Sequence, residues 1–430
     1  MSGHMAPDKR RLSNKAIVGI VLVAIVLAGG LAFALSHRNA PDSSIDVTGS
    51  SEAPSAPAPG DSSAAAATLP FTLEGVPAEG TLIDATDSAD RASVSSGWTF
   101  GGDYSLIGSF PLSSDAVFGS ETDDPSDVEG YRAALISPDG VTPIEQAQSG
   151  DKFFEPQDGS GNANQIVWRS AELTNLPSNG TDNWRVQAWS KDRGAAVVLG
   201  SAEKENGTDR TPVLDAEIVP SANDHDAFFA SMTKAEDGWK PTVMSWAVDG
   251  SSEDTVYIGY GSYPAAVADG CLWASDPSYV DSGTFYGSLS HWNGSTSEKV
   301  FSIDSTEGTW SVSGVWAFEG NRIVGFSSDD GSRGSYIGVW QDDFGKFCGW
   351  VHVASPRVIG CLNASWFVWG AGSESDNSGM YALRLSDCSL YSLGSCAGYS
   401  RPSLARDSDA VLIPVANGLN AVSYQVVVLQ

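Results

Sequence analysis

A repeat of roughly 46 residues is the feature that most limits what this chain can fold into. After residue 70, short runs of β-branched and aromatic residues alternate with Gly, Asp, Asn and Ser clusters, which is typical of strands and tight turns. Six prolines each open a small-residue strand at intervals of 45, 56, 52, 92 and 46 residues, and these are Pro111, Pro156, Pro212, Pro264, Pro356 and Pro402. The interval of 92 residues between Pro264 and Pro356 is twice 46, so it should contain two units. Trp310, 46 residues after Pro264, is at the position where the second of them would open. The spacing therefore predicts seven units.

Each unit also contains a strand that runs into a polar turn, and we predict that it is the third of four strands. These strands are residues 131–137, 186–190, 243–248, 286–292, 336–340, 380–385 and 424–429. Trp189, Trp246, Trp292 and Trp340 fall at nearly the same place in four of them. Large aromatic side chains in a repeated position are expected to wedge between neighbouring sheets.

Units of this length with four short strands are typical of β-propeller blades, so we predict an all-β, seven-bladed β-propeller over residues 71–430. The seventh unit reaches only its third strand at Gln430, so an N-terminal strand must supply its outer strand. We expect residues 104–110 to do this in preference to residues 71–76, with residues 71–97 packed on the outside.

One unit resembles a known repeat. Met380-Tyr-Ala-Leu-Arg-Leu-Ser-Asp-Cys-Ser-Leu-Tyr-Ser-Leu-Gly394 resembles the pyrroloquinoline-quinone-type (PQQ-like) propeller repeat, and Gly345-Lys346 followed by Trp350 is a second, weaker similarity. Such repeats occur in exported bacterial dehydrogenases and in propeller scaffolds that assemble membrane proteins. The resemblance implies an exported bacterial propeller. The Asp-x-x-Thr-Gly-Lys-x-x-Trp motif of the repeat is intact in no unit, and we predict no quinone cofactor.

The N-terminus predicts a membrane segment. Residues 1–15 form a basic tail, with Lys9, Arg10, Arg11 and Lys15, before an apolar run from Ala16 to Leu35. About 20 helical residues span the ~30 Å hydrocarbon layer. The basic flank should stay in the cytoplasm, which makes this a single-pass anchor with the C-terminal domain outside the cell membrane. The alternative is a signal segment cleaved near Ala34, which would give a secreted protein.

Residues 36–70 are rich in Ala, Pro and Ser and have almost no bulky apolar side chains. Such a segment buries too little surface to offset its ordering entropy, so we predict a disordered linker between membrane and propeller.

The charge excludes nucleic acid as a partner. The chain carries 24 Lys and Arg against 53 Asp and Glu, a formal net charge of -29, which would repel a phosphate backbone. Long loops after the second strands are especially acidic. We select Asp276, Asp281, Asp329, Asp330, Glu374 and Asp376 as candidate binding residues. Clustered carboxylates would recruit a cationic partner, or Ca²⁺ as the alternative, although a merely solvated loop surface explains them equally.

Motifs for catalysis are absent from the sequence. Beyond the linker the histidines are His225, His291 and His352, in three different units, so a clustered histidine metal site is not expected. Five cysteines follow the membrane segment, where disulfides can form, and any bridge should join different strands.

We therefore predict a non-catalytic extracytoplasmic binding or scaffolding propeller that takes an envelope protein or glycan. The alternative is an extracellular carbohydrate-active enzyme that uses carboxylates at the propeller mouth, since such enzymes need no local motif.

Overall fold

A computed structural model describes residues 68–85, 89–95, 97–100, 105–121, 131–146, 152–172, 180–214, 219–280, 283–329, 331–371, 378–396, 402–416 and 422–430. Within these ranges the chain is all-β, as predicted, apart from one short helix, α1 (Ala202–Asn206). No helix in this part of the chain is long and apolar enough to cross a membrane. The predicted anchor, residues 16–35, lies outside the described residues.

Four short strands come first. They are β1 (Phe71–Glu74), β2 (Leu82–Ala85), β3 (Asp90–Arg91) and β4 (Trp98–Phe100).

The rest of the described chain forms antiparallel units that follow one another in sequence. The first is β5 (Ser105–Pro111), β6 (Val117–Glu121), β7 (Arg132–Ser137) and β8 (Gly140–Pro143). The second contains β9 (Phe154–Gly161), β10 (Gln165–Glu172), β12 (Trp184–Ser190) and β13 (Ala196–Ser201), with a separate pair formed by β11 (Thr181–Asp182) and β14 (Thr211–Pro212).

The third and fourth units share a strand. The third is β15 (Ser221–Ala222), β16 (Asp226–Ala235), β17 (Gly238–Ala247) and the first half of β18 (Val256–Val267). The second half of β18 pairs instead with β19 (Gly270–Val280), which continues through β20 (Gly283–Trp292) to β21 (Ser297–Ser305) as the fourth unit. The strand changes partner near Gly261, where a Cβ would lie only 2.0 Å from the Ala274 carbonyl oxygen.

The last three units repeat the same order. The fifth is β22 (Trp310–Phe318), β23 (Asn321–Ser328), β24 (Ser335–Gln341) and β25 (Lys346–Val353). The sixth is β26 (Val358–Leu362), β27 (Trp366–Ala371), β28 (Ser378–Arg384) and β29 (Ser389–Cys396). The seventh has β30 (Ser403–Leu404), β31 (Ala410–Ala416) and β32 (Val422–Val428), and β4 is its fourth strand.

The seven segments predicted as third strands coincide with β7, β12, β17, β20, β24, β28 and β32. Two strand openings were wrong. Pro111 is the last residue of β5 and opens no strand. Pro212 lies in the small β11–β14 sheet, and the third unit opens after Pro220 instead. The reason is an insertion, α1 and β14, which lengthens the connection from the second unit and shifts the apparent period.

The core lies between the units. Each hydrophobic cluster joins consecutive units, and one cluster, with Val117, Ile136, Leu412 and Val426, joins the seventh unit to the first. Sheets that pack face to face in this cyclic way form a β-propeller. The four repeated tryptophans, Trp189, Trp246, Trp292 and Trp340, are all at most 9% exposed within these clusters, which confirms them as wedges.

The N-terminal strands wrap around the outside of this arrangement. β1 pairs with β21 antiparallel, whereas β2 and β3 pair parallel with β25 and β29. β1, β2 and β3 are thus the fifth strands of the fourth, fifth and sixth units, respectively. This agrees with the expectation that residues 71–97 pack on the outside.

The closing strand differs from the sequence prediction. Residues 104–110 are not the outer strand of the seventh unit, because β5 is paired with β6 and its Phe110 stacks on Phe118 in the core. β4 pairs antiparallel with β32 instead. Gly97 permits this close approach, since a Cβ there would lie 1.4 Å from the Val426 carbonyl oxygen.

Candidate functional site

Two of the six candidate binding residues are described. Asp276 has a positive φ of 56°, and its carboxylate accepts hydrogen bonds from Lys299 and from Ser288, each at 2.7 Å. The Lys299 ammonium, followed by the Ser288 hydroxyl, lowers the pKa of Asp276. Its negative charge is therefore already matched by a cation within the fourth unit.

Asp329 follows the second strand of the fifth unit and is exposed, with its backbone N–H donating to the Thr309 carbonyl at 3.0 Å. Asp281, Asp330, Glu374 and Asp376 lie outside the described residues.

The opposite end of the units holds a cavity of about 1100 Å³. Turns after the first and second strands of an antiparallel unit lie at opposite ends of that unit, so this cavity is on the face away from the predicted loops. Its wall includes the first turns of five units. Four of these turns contribute one carboxylate each, namely Asp224, Asp269, Glu319 and Asp407.

The cavity wall is acidic. Glu298, at the start of β21, and Asp343, on the turn after β24, raise the number of lining carboxylates to six, against two arginines, Arg322 and Arg406. All six carboxylates are exposed to solvent. Two histidines, His225 and His291, complete the set of titratable residues in the wall.

Asparagine side chains fix these turns. The Asn223 side-chain oxygen accepts from the backbone N–H of His225 at 2.9 Å and of Asp226 at 2.8 Å, and its amide donates to Val267 of the next unit at 2.9 Å. Asn162 and Asn363 accept from their own turns in the same way. An asparagine that bonds to its own backbone two and three residues on makes a rigid turn, so Asp224 is held at a defined place on the rim.

Arg406 reaches across the cavity from the seventh unit. Its Nη1 donates to the Ala222 carbonyl of the third unit at 2.5 Å, and its guanidinium lies 5.3 Å above the Phe318 ring of the fifth. Next to it, Asp407 accepts from the Asn162 amide of the second unit at 2.6 Å. Burial lowers the pKa of Arg406. This turn therefore ties four units together at the cavity.

The other basic residues of the wall lie beside carboxylates. His291 Nε2 lies 3.3 Å from Asp269, and Nδ1 lies 3.7 Å from Glu298. Arg322 is paired with Asp343, and its Nη1 donates to the Asn321 carbonyl at 2.8 Å. Burial lowers the pKa of Arg322 as well. The wall holds six carboxylates against two arginines, so negative charge remains at the rim.

Burial raises the pKa of Asp226, which directly follows a residue of the cavity wall but does not itself line the cavity. Burial also raises the pKa of Glu145 and of Asp182. Asp182 is bonded to the buried Arg169, which also holds Asp158, at 2.7 Å in each case. A buried ion-pair network of one arginine and two aspartates has a structural role here. Among the described residues no group of three or more His, Cys, Asp or Glu is placed to hold a metal ion.

Sequence reasoning missed this cavity because each turn carries a single Asp or Glu of the kind that hairpin turns commonly contain. Only cyclic packing of the units brings Asp224, Asp269, Glu319 and Asp407 around one opening. An asparagine three residues before the second strand of three units is the available signal, and two of these turns line the cavity.

No known family and no curated protein matches this chain. Among solved structures, an uncharacterized protein from Listeria monocytogenes is similar at 10% identity, with 74% of this chain and 91% of that chain covered and a TM-score of 0.48. The β-propeller domain of the Trilobed protease from Pyrococcus furiosus is similar at 9% identity over 76% and 91%, with a TM-score of 0.42. TolB from Acinetobacter baumannii is similar at 11% identity over 73% and 79%, with a TM-score of 0.39.

Proposed function

We propose that this chain is a non-catalytic binding propeller, tethered to the outside of a cell membrane through Ala16 to Leu35, whose acidic cavity takes a cationic segment of an envelope protein. The apolar run and its basic flank support the tether. The absence of a nucleophile or metal motif in the sequence supports binding over catalysis.

We further propose that the propeller has seven blades and is closed by β4. The strand pairing of the described residues supports this count, because each unit has four strands once β4 is added to the seventh. The core cluster between the seventh unit and the first supports closure of the ring.

One observation carries the choice of ligand: six exposed carboxylates surround a cavity whose two arginines are both engaged. Exposed carboxylates keep their charge at neutral pH and can exchange water for a lysine or arginine head group. An acidic concavity also concentrates cations and raises their association rate. A binding site can display all its carboxylates in solvent, whereas catalysis needs a few that are desolvated at the reacting position.

A triple variant tests this proposal. In the full chain held in detergent, Asp224→Asn, Asp269→Asn and Glu319→Gln together should weaken binding of a hexalysine peptide about tenfold or more, because each removed pair contributes up to ~1 kcal/mol and tenfold is ~1.4 kcal/mol. Isothermal titration at two salt concentrations gives the measurement. Binding to the native chain should weaken as salt rises, since screening at ~0.15 M acts over ~8 Å.

The residues selected from sequence supply the matched control. Asp329→Asn, Asp330→Asn, Glu374→Gln and Asp376→Asn remove four charges, none of them from the described wall of the cavity. If this variant loses hexalysine binding while the cavity variant keeps it, the acidic residues selected from the sequence are the site and the cavity is not. Asp276, also selected from the sequence as a loop residue, lies within β19. Full binding by both variants would contradict an electrostatic site on either face.

The carbohydrate-active alternative has its own readout. Release of sugar from an envelope glycan by the native chain, lost in a single carboxylate variant, would replace the binding proposal with that of an enzyme.

A further inference from the structure

The units differ in whether an N-terminal strand pairs with their outer edge. The fourth to seventh units each end in a strand from the N-terminal segment, β1 to β4. The outer strands of the first three units, β8, β13 and the first half of β18, have no such partner among the described residues. An unpaired strand edge presents backbone N–H and C=O groups that can bond to another extended chain.

Exposed apolar side chains concentrate on two of these edges. The described residues include six large hydrophobic side chains that are exposed: Val94, Val198, Val256, Tyr257, Tyr260 and Tyr279. Val256, Tyr257 and Tyr260 lie on the outer half of β18 and are 46%, 54% and 53% exposed. A group of exposed apolar side chains on a strand edge favours a binding surface over a solvated one, although the pairing of β17 with β18 shifts register at Ile258.

One tyrosine on the β18 edge is fixed by a hydrogen bond, and carboxylates lie beside this edge. The Tyr257 hydroxyl donates to Glu205 of α1 at 2.8 Å, so its ring has a fixed position. Exposed Glu253 and Asp254 precede the strand. At the other end, Lys240 lies 5.7 Å from the Tyr279 ring and is paired with Asp237 at 2.9 Å.

We propose that the outer edge of β18 binds an extended, lysine- or arginine-bearing segment of a partner protein as a fifth strand. This is the position that β1, β2 and β3 occupy in the next three units, so the same chain already shows that the units accept a strand there. Added strands gain main-chain hydrogen bonds, and alternate side chains contact the exposed residues. Glu205, Glu253 and Asp254 favour a cationic segment.

Two other occupants fit less well. The linker of this chain has Pro54, Pro57 and Pro59 within six residues, and proline has no N–H to give to a ladder. A second copy would bring the same acidic border against itself, which like charges oppose.

The test uses the full chain in detergent and a seven-residue peptide of alternating lysine and valine. Binding should protect backbone amides of residues 256–260 from hydrogen exchange. Val256→Lys with Tyr260→Lys should reduce this protection at least tenfold, because lysine on an edge repels a cationic strand. Val198→Lys, at an equally exposed position on β13, is the matched control and should leave it unchanged.

Peptide binding without protection of 256–260, or equal protection in the double variant, overturns the proposal. If those amides are protected without peptide and lose protection when residues 1–67 are removed, the chain itself covers the edge and the partner proposal is wrong. The cavity triple variant should keep the protection, which separates this edge from the cavity.

A second, independent observation concerns two cysteines. Cys348 on β25 packs into the core between the fifth and sixth units together with Leu385 and Leu390, which flank Cys388 in sequence. Gln341 of the fifth unit donates to the Leu385 carbonyl at 2.9 Å, so the two turns are bonded to one another. Both cysteines are free thiols, and Cys348 is close enough to Cys388 to affect its pKa.

We infer that Cys348 and Cys388 form a disulfide between the fifth and sixth units once the chain is outside the cell, a step that depends on the proposed location. Each thiol gives up one proton and one electron, the S–S bond forms, and an oxidising disulfide is reduced to two thiols. Burial and then the Cys348 thiol raise the pKa of Cys388 to about 11, so the thiolate is scarce at neutral pH and the exchange is slow without a catalyst.

Prolonged treatment of the purified full chain with oxidised glutathione above pH 8 should lower its mass by ~2 Da and yield a linked peptide containing both cysteines. Cys348→Ser should abolish that peptide, and Cys361→Ala should not. If both thiols still react with an alkylating agent, or Cys388 links elsewhere, the pair is wrong. A pair that oxidises in vitro but is reduced in chain taken directly from cells would instead contradict the extracytoplasmic location.

Discussion

A chain that begins at residue 101 is expected to be aggregated or unfolded at 25 °C, whereas a chain that begins at residue 68 should fold. The shorter chain lacks β1 to β4, so the seventh unit loses its fourth strand and β32 presents an open edge. It also lacks Trp98, which packs between the seventh unit and the first and donates to the Ser114 carbonyl at 2.9 Å. An open edge beside an incomplete core favours pairing with other chains.

Soluble yield, size-exclusion chromatography and near-ultraviolet circular dichroism distinguish the two chains. Gly97→Ala localises the effect, because its Cβ would overlap the Val426 carbonyl oxygen and push β4 off β32, at a cost of roughly 1–3 kcal/mol or more. Gly287→Ala is the matched control, since the nearest atom to its Cβ is 3.9 Å away. A monomeric chain from residue 101 with an unchanged melting temperature would show that the N-terminal strands are dispensable.

The repeat could be predicted because the residue pattern of a single strand is enough to recognise each unit. Third strands carry alternating apolar residues and end in turn formers, and the recurring tryptophans are large enough to need a core position. The predictions for residues 186–190 and 336–340 therefore coincide with β12 and β24.

The N-terminal wrap could be predicted only in outline. β3 and β4 have two and three residues, too few for any periodicity to show, and each depends on an edge supplied by a distant unit. Residues 104–110 looked like a closing strand because they directly precede Pro111, but β5 pairs locally with β6, which closes a far shorter loop.

The candidate cavity was hidden for a related reason. Asp224 and Asp407 are 183 residues apart in sequence, and neither turn differs from an ordinary hairpin. The cross-ring contact of Arg406 with Ala222 depends on ring geometry, which no local pattern encodes. Charge counting found acidic loops, yet it could not show that Asp276 is paired with Lys299.

Phe71→Ala is expected to lower the free energy of unfolding by about 3–5 kcal/mol, the usual cost of removing a buried phenylalanine. Phe71 is 1% exposed, although it lies in a four-residue strand at the start of the described chain. Its ring centroid is 5.1 Å from that of Trp310, 5.0 Å from Phe326 and 5.8 Å from Trp350. It therefore fills the core between the fourth and fifth units.

Urea unfolding followed by tryptophan fluorescence measures this loss. Thr72→Ala, the exposed neighbour on the same strand, should stay within about 0.5 kcal/mol of the native chain. A cost below about 1 kcal/mol for Phe71→Ala would mean that β1 is only laid on the surface, since a side chain at the centre of a packed cluster leaves a cavity when removed. The expected larger cost would show that β1 is part of the propeller core, because its Phe71 packs between the fourth and fifth units.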